Sequence, residues 1–313
     1  MLFSSKRSGK NFAKDPAVVK FNNKYFLYFS DLPNETEKLD GSSLEVGIAV
    51  SDDMEHWEIQ GVLPKTQKCE KRGVGAPGAI VLGNKVHLFY QTYGNGANDA
   101  ICHAVSEDGI NFVKDETNPV FHPTDDWCCG RAIDADVCMF KDNLMLYVAT
   151  RDHSYKIQKI AAAVAPADSD FSSNDFTQLC CASVLSPELK WEEECIEAPA
   201  TLVHDGKIYM FYGGAYNCSP QQIGCAVSND GRTFEKLFID EPFITCGEKG
   251  SWNSSESGHP YAFTDSDGKY WLFFQGSSDM GDTWYITKTE IGFDENGIPY
   301  RIGCATEGKE FDV

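Results

Sequence analysis

Asp15, Asp134 and Glu197 stand at the openings of three apolar, strand-like runs, in the contexts Lys14-Asp15-Pro16, Ile133-Asp134-Ala135 and Glu197-Ala198-Pro199. His259 opens another, in Gly258-His259-Pro260. A lone Asp before proline is an ordinary turn opener. Several carboxylates at matching places are different, because like charges brought together raise one another's pKa and folding alone does not favour them. A general acid and a general base facing each other across a pocket need such an arrangement. The chemistry these residues suit is therefore general acid–base catalysis, provided the fold gathers them.

An internal repeat supplies the means. PAVVKFNNKYFLYFS from Pro16, PGAIVLGNKVHLFYQT from Pro77, ADVCMFKDNLMLYVAT from Ala135, PATLVHDGKIYMFYGG from Pro199 and PYAFTDSDGKYWLFFQG from Pro260 share one plan. Each is an apolar run, a polar turn and an alternating aromatic-rich run, the signature of a β-hairpin. A second element follows each hairpin, as in VGIAVSDDMEHWEI, ICHAVSEDGINFVK and IGCAVSNDGRTFEKL. There, Ser-x-Asp-Gly places an Asx-type turn between two short strands. Two hairpins make four strands, and units of about 60 residues repeated radially are propeller blades rather than the shorter WD40 type. The expected fold is all-β: one five-bladed β-propeller over residues 1–313, with blades starting near 15, 76, 134, 198 and 259.

In such a ring the first strand of every blade lines the central channel, so Asp15, Asp134, Glu197 and His259 converge at one mouth. The second strand returns to that mouth. Asp31, Tyr93, Arg151 with Asp152, Tyr216, and Gln275 with Ser277 are therefore expected on its rim, where planar polar groups suit sugar hydroxyls. Trp127, Trp191 and Trp252 lie ahead of inner strands three to five; Trp127 and Trp252 are the expected stacking surfaces. Along the inner strands the channel-facing residues are small apart from Asp136 and Tyr261. Asp136 with His259 could hold a calcium or sodium ion there, but a hydrogen-bonded acid capping a neighbouring backbone is the reading we prefer for Asp136. No cofactor is expected to be required.

The chain carries 47 acidic and 27 basic residues, a formal net charge of −20. That balance repels phosphate backbones and anionic membranes, so neither nucleic acid nor membrane is an expected partner. No apolar run approaches the roughly 20 residues of a membrane span. Twelve cysteines include several inside apolar runs, such as Cys102, Cys138 and Cys225, and no CxxC occurs. Together with an N-terminus, MLFSSKRSGKNF, that lacks a signal-like apolar core, this leads us to expect a cytoplasmic protein with free thiols.

The pattern resembles glycoside hydrolase family 43 across nearly the whole chain. That family's propeller has an Asp-Pro in blade one, an Ala-Pro in blade two, an Ile-Asp in blade three, a Glu-x-Pro in blade four and a Gly-His in blade five. Here they read Asp15-Pro16, Ala76-Pro77, Ile133-Asp134, Glu197-Ala198-Pro199 and Gly258-His259. The resemblance implies that Asp15 is the general base, Glu197 the general acid, and Asp134 the residue that tunes and orients the acid. It also makes His259 the channel histidine, often associated with a metal ion or ordered water. Inverting hydrolysis takes two carboxyls about 6.5–9.5 Å apart with water between them, and residues from blades one and four span such a gap. Gly75 replaces the family's blade-two Trp, leaving Phe12, Trp127 or Trp252 to supply that wall. Ala135 and Asp136 replace the usual Pro and His. The implied substrates are oligosaccharides, with α-L-arabinofuranosidase, β-xylosidase and galactosidase activities all open. The alternatives are a retaining fructosidase-like or phosphorylase-like propeller, or a non-catalytic carbohydrate-binding one.

Overall fold

A computed structural model describes residues 1–34 and 43–303. Five four-stranded antiparallel sheets follow one another along the chain, with each strand paired to the next in sequence. Blade one comprises β1 (Lys14–Phe21), β2 (Lys24–Asp31), β3 (Glu45–Ser51) and β4 (Glu58–Val62). Blade two has β5 (Val74–Leu82), β6 (Lys85–Thr92), β7 (Ile101–Ser106) and β8 (Phe112–Lys114). Blade three has β9 (Ile133–Phe140), β10 (Asn143–Arg151), β11 (Gln158–Pro166) and β12 (Thr177–Gln178). Blade four has β13 (Ile196–His204), β14 (Lys207–Gly214), β15 (Gln222–Ser228) and β16 (Glu235–Lys236). Blade five has β17 (Glu256–Thr264), β18 (Tyr270–Ser277), β19 (Tyr285–Phe293) and β20 (Pro299–Ile302). The chain is a five-bladed β-propeller.

The turns explain the hairpins. Asn22 and Asn23 have φ of 50° and 62°, Gly83 and Asn84 55° and 59°, and Asp205 and Gly206 48° and 72°. Two consecutive left-handed residues make the primed turn whose twist matches its strands, and Asn, Asp and Gly tolerate it best. The Ser-x-Asp turns form as read. In blade four, Ser228 Oγ accepts from the amides of Asp230 and Gly231, while Asp230 Oδ1 accepts from those of Arg232 and Thr233. The turn also joins blades, because the buried Tyr147 hydroxyl of blade three donates to Gly231 O at 2.9 Å. Tyr28 of blade one does the same to Gly109 O of blade two.

The inner strands β1, β5, β9, β13 and β17 touch their neighbours all round the ring, including β17 against β1. Gly78 shows how close they come: a Cβ there would stand 2.2 Å from Ala135 O. The N-terminal segment straps the closure. Phe3 exchanges two 2.8 Å backbone hydrogen bonds with Ile286 of blade five, and Ala13 N donates to Trp284 O. Two buried carboxylates anchor loops ahead of inner strands. Glu192 accepts from the Tyr212 hydroxyl at 2.7 Å and from Lys236 Nζ at 2.6 Å. Glu70, Tyr90 and Lys114 repeat the set in blade two. The cysteines described are free thiols, and no helix among the described residues is long and apolar enough to cross a membrane.

Candidate active site

Every inner strand breaks register near its start, between Lys14 and Ala17, Gly75 and Gly78, Ile133 and Asp136, Glu197 and Ala200, and Gly258 and Tyr261. Inside each break one residue has positive φ: Asp15 54°, Ala76 40°, Asp134 54°, Ala198 51° and His259 42°. A bulge suspends the alternation of side chains along a strand. Consecutive residues therefore face the same mouth, as Lys14 and Asp15 do, and Ile133 and Asp134. This corrects the reading of three carboxylates at equivalent positions. Asp15 and Asp134 are the left-handed residues, whereas Glu197 precedes one and corresponds to Lys14 and Ile133.

Four of the five bulges are held by side chains from the preceding blade. Gln275 Oε1 accepts from Asp15 N at 2.9 Å, Gln91 Oε1 from Asp134 N at 2.8 Å, and Ser30 Oγ from Ala76 N at 2.8 Å. Blade four has Gly213 where a Gln or Ser would stand, and Gln221 fills the space to accept from His259 N at 3.0 Å.

A cleft of about 480 Å³ opens at this mouth, lined by Asp15, Asp134, Glu197 and His259 together. His259 Nδ1 lies 3.0 Å from Asp15 Oδ1. Glu197 is clamped at both oxygens: Gln221 Nε2 donates to Oε1 at 2.6 Å and Asn217 Nδ2 at 3.0 Å, while Gln158 Nε2 donates to Oε2. Lys14 Nζ donates to Asn217 Oδ1 at 2.8 Å and sits 4.4 Å over the Trp284 ring. Asp134 Oδ2 is buried and accepts no hydrogen bond among the described residues.

These contacts set the charges. Burial pushes Asp15 up, but the charges of His259 and Lys14 and a hydrogen bond from His259 outweigh it and hold the carboxyl well below the usual range. Burial also opposes the His259 imidazolium, yet Asp15, then Asp134 and Glu197, raise it to about 9. Asp134 is pushed up to about 7 by burial, against His259 and with the negative charges of Glu197 and Asp15. One site thus holds an ionised carboxylate and a carboxyl that retains its proton up to neutrality, the division acid–base chemistry requires.

Of the expected rim residues, Tyr93, Arg151 and Tyr216 line the cleft. Asp31 does not. Its carboxylate takes Ser5 Oγ at 2.8 Å and Arg7 Nη1 at 3.3 Å from the N-terminal strap, and the next residue, Leu32, faces the cleft instead. Gln275 stands behind Asp15, with its Nε2 on Glu256. Asp152 and Ser277 are used in local turns. Trp127, half-buried, packs against the hydrophobic core of blades two and three, and Lys159 lies over its ring. Trp252 fills the space above Gly276, as Trp191 does above Gly214. The aromatic wall comes from Phe12 and Trp284. Sequence reasoning missed Trp284, Lys14, Arg131 and the Gln158–Gln221–Asn217 clamp. Lys14 was detectable, since it adjoins Asp15; the clamp, built across turns, was not. Asp136 accepts from Thr201 N at 2.8 Å and from Thr201 Oγ1, the backbone-capping role. No group of three His, Cys, Asp or Glu suited to a metal occurs among the described residues. His259 Nδ1 is turned to Asp15.

The family model of glycosyl hydrolases family 43 matches residues 9–296. Among solved structures, a thermostable family-43 glycoside hydrolase is similar at 20% identity, covering 98% of both chains with a TM-score of 0.74. An endo-1,4-beta-xylanase from Bacteroides thetaiotaomicron is 20% identical over 93% of this chain and 94% of that one, with a TM-score of 0.70. An exo-1,5-alpha-L-arabinanase from a bovine ruminal metagenomic library is 16% identical over 96% and 100%, with a TM-score of 0.64. At these identities the structural likenesses speak for the fold; the family rests on the sequence match.

Proposed function

The chain belongs to glycosyl hydrolase family 43, and from that premise we propose that it cleaves terminal glycosidic bonds of plant-type oligosaccharides with inversion at the anomeric carbon. The observation that carries the proposal is the meeting of Asp15, Asp134 and Glu197, from blades one, three and four, in one cleft. Asp15, ionised throughout the neutral range, takes the proton of the attacking water as general base, and His259 orients it. Glu197, fixed by three side-chain amides, faces the leaving oxygen as general acid. Asp134 tunes and orients it from the same cleft. Inversion requires water to fit between base and sugar, with the acid on the opposite side of the sugar. Phe12 and Trp284 give the sugar an apolar face, with Tyr93 and Tyr216 at the rim. The xylanase and arabinanase neighbours favour a pentoside, either an α-L-arabinofuranoside or a β-xyloside, with a galactoside next.

A panel of 4-nitrophenyl arabinofuranoside, xyloside and galactoside tests the reading, with proton NMR of the first-formed sugar. Turnover giving the inverted anomer is expected. Retention would transfer the chain to the fructosidase-like mechanism, and sugar binding without turnover of any substrate would make it a carbohydrate-binding propeller.

A further inference from the structure

Two of the chain's six arginines, Arg131 and Arg151, line the cleft of a protein whose net charge is −20. Lys14 also lines it, but its charge is met by Asp15, Glu256 and Glu197. The arginines are less fully engaged, although the charge of Arg131 also acts on Asp99 and Asp134. Arg131 makes no hydrogen bond among the described residues: its Nε is buried without an acceptor, and the nearest carboxylate oxygen, Asp99 Oδ2, is 3.8 Å away. Asp99 itself is served at Oδ1 by the amide of Asn95 and by Thr92 Oγ1. Arg151 donates only through Nε, at 2.6 Å to Gln158 Oε1. Its guanidinium lies 5.1 Å from the Tyr216 ring and 5.8 Å from that of Tyr155. Arg131 and Arg151 line the same cleft, together with Tyr216.

A guanidinium fork fits a carboxylate with two parallel hydrogen bonds, a geometry that neutral hydroxyls do not demand. We propose that the glycoside entering this cleft carries a carboxylate, as a uronic acid residue does, received by Arg131 and Arg151. This rests on the reading above that the cleft takes a sugar. Gln158 joins Arg151 to Glu197 Oε2, so the acidic sugar belongs on the leaving-group side. The surrounding negative charge does not prevent this. Repulsion by exposed carboxylates is screened beyond about 8 Å at physiological salt, and an acid group seated between two guanidiniums is compensated locally.

The test is calorimetric titration of the purified protein with D-glucuronate, D-galacturonate, D-glucose, D-galactose and inorganic phosphate. Each uronate is expected to bind at least about tenfold more tightly than its neutral partner, the low end for a charged hydrogen-bonded pair. R131Q should bring that ratio close to one, and R131K should keep part of it. R151Q gives the same reading should R131Q fail to fold. Equal affinities for acid and neutral sugars, no measurable uronate binding, a ratio unchanged in R131Q, or phosphate binding ahead of both uronates would each overturn the proposal. A protein that hydrolyses neutral aryl glycosides without uronate preference refutes this inference and leaves the hydrolase reading intact. Uronate binding without turnover does the reverse.

Discussion

Replacing Asp15 by Asn keeps the shape of the cleft and removes the charge that holds His259 protonated. The imidazole is buried, and its rise from 6.5 to about 9 is driven first by Asp15 against the cost of burial. At about 1.4 kcal/mol per pH unit, that difference is roughly 3 kcal/mol in favour of the imidazolium. The folded-state value lies above the unfolded one, so this contribution is complete below pH 6.5 and is lost as pH rises through about 9. D15N should therefore lower the His259 midpoint by about 2 units or more and destabilise the protein at pH 7 by on the order of 3 kcal/mol. Above pH 9 the gap should narrow or close, because the wild type then holds a buried carboxylate that has lost its imidazolium and keeps only Lys14. Imidazole NMR, with the His259 signal assigned from H259Q, reads the midpoint; urea unfolding at pH 7 and pH 10 reads the stability. A wild-type His259 titrating near 6.5, or a midpoint unmoved in D15N, refutes the reasoning, and with it the view that Asp15 is kept ionised by this partner.

Two further changes probe the site and its frame. E197Q should slow hydrolysis of alkyl or oligosaccharide glycosides by about 100-fold or more, and of aryl glycosides with good leaving groups far less, since those need little protonation; equal losses on both would remove Glu197 as the acid. K236M strands the Glu192 carboxylate, 0% exposed, and should cost about 3–5 kcal/mol in urea unfolding, whereas a loss below about 1 kcal/mol would mean that the Tyr212 hydroxyl and two loop amides suffice for that charge.

What the sequence displayed were features written in neighbouring residues. Asn22-Asn23 and Asp205-Gly206 announce left-handed turns because few other residues tolerate them, and five such hairpins at regular spacing imply a ring. The convergence of Asp15, Asp134 and Glu197 then follows from topology. Features written across blades were hidden. Trp284 reaches the cleft because closure sets blade five beside blade one and the N-terminal strap pins it there. Asp31 is drawn off the rim by Ser5 and Arg7 of the same strap, a contact that no periodicity encodes. The sequence presents Trp127 and Trp252 as platforms because aromatic type is visible in it and the vacancy that accepts an aromatic is not; for Trp252 that vacancy is Gly276.

The ring of left-handed residues bears on why the proposed catalytic carboxyls differ in length. A positive φ costs most residues about 1–2 kcal/mol, less for Asp and Asn. Ala76 and Ala198 carry that cost with no side chain to contribute chemistry, so the bulge belongs to the ring architecture and not to catalysis alone. It offers each blade two successive positions facing the mouth. Asp suits the strained one, as in blades one and three, where its short side chain and tolerance of the left-handed region coincide. The preceding position has no such restriction and accepts a longer side chain, Lys14 in blade one and Glu197 in blade four. Moving the acid of blade four onto the bulge, with E197A and A198D combined, would therefore shorten its reach and take it from the Gln158–Gln221–Asn217 clamp. The proposed base and acid of this cleft are unequal because the backbone presents them from unequal places.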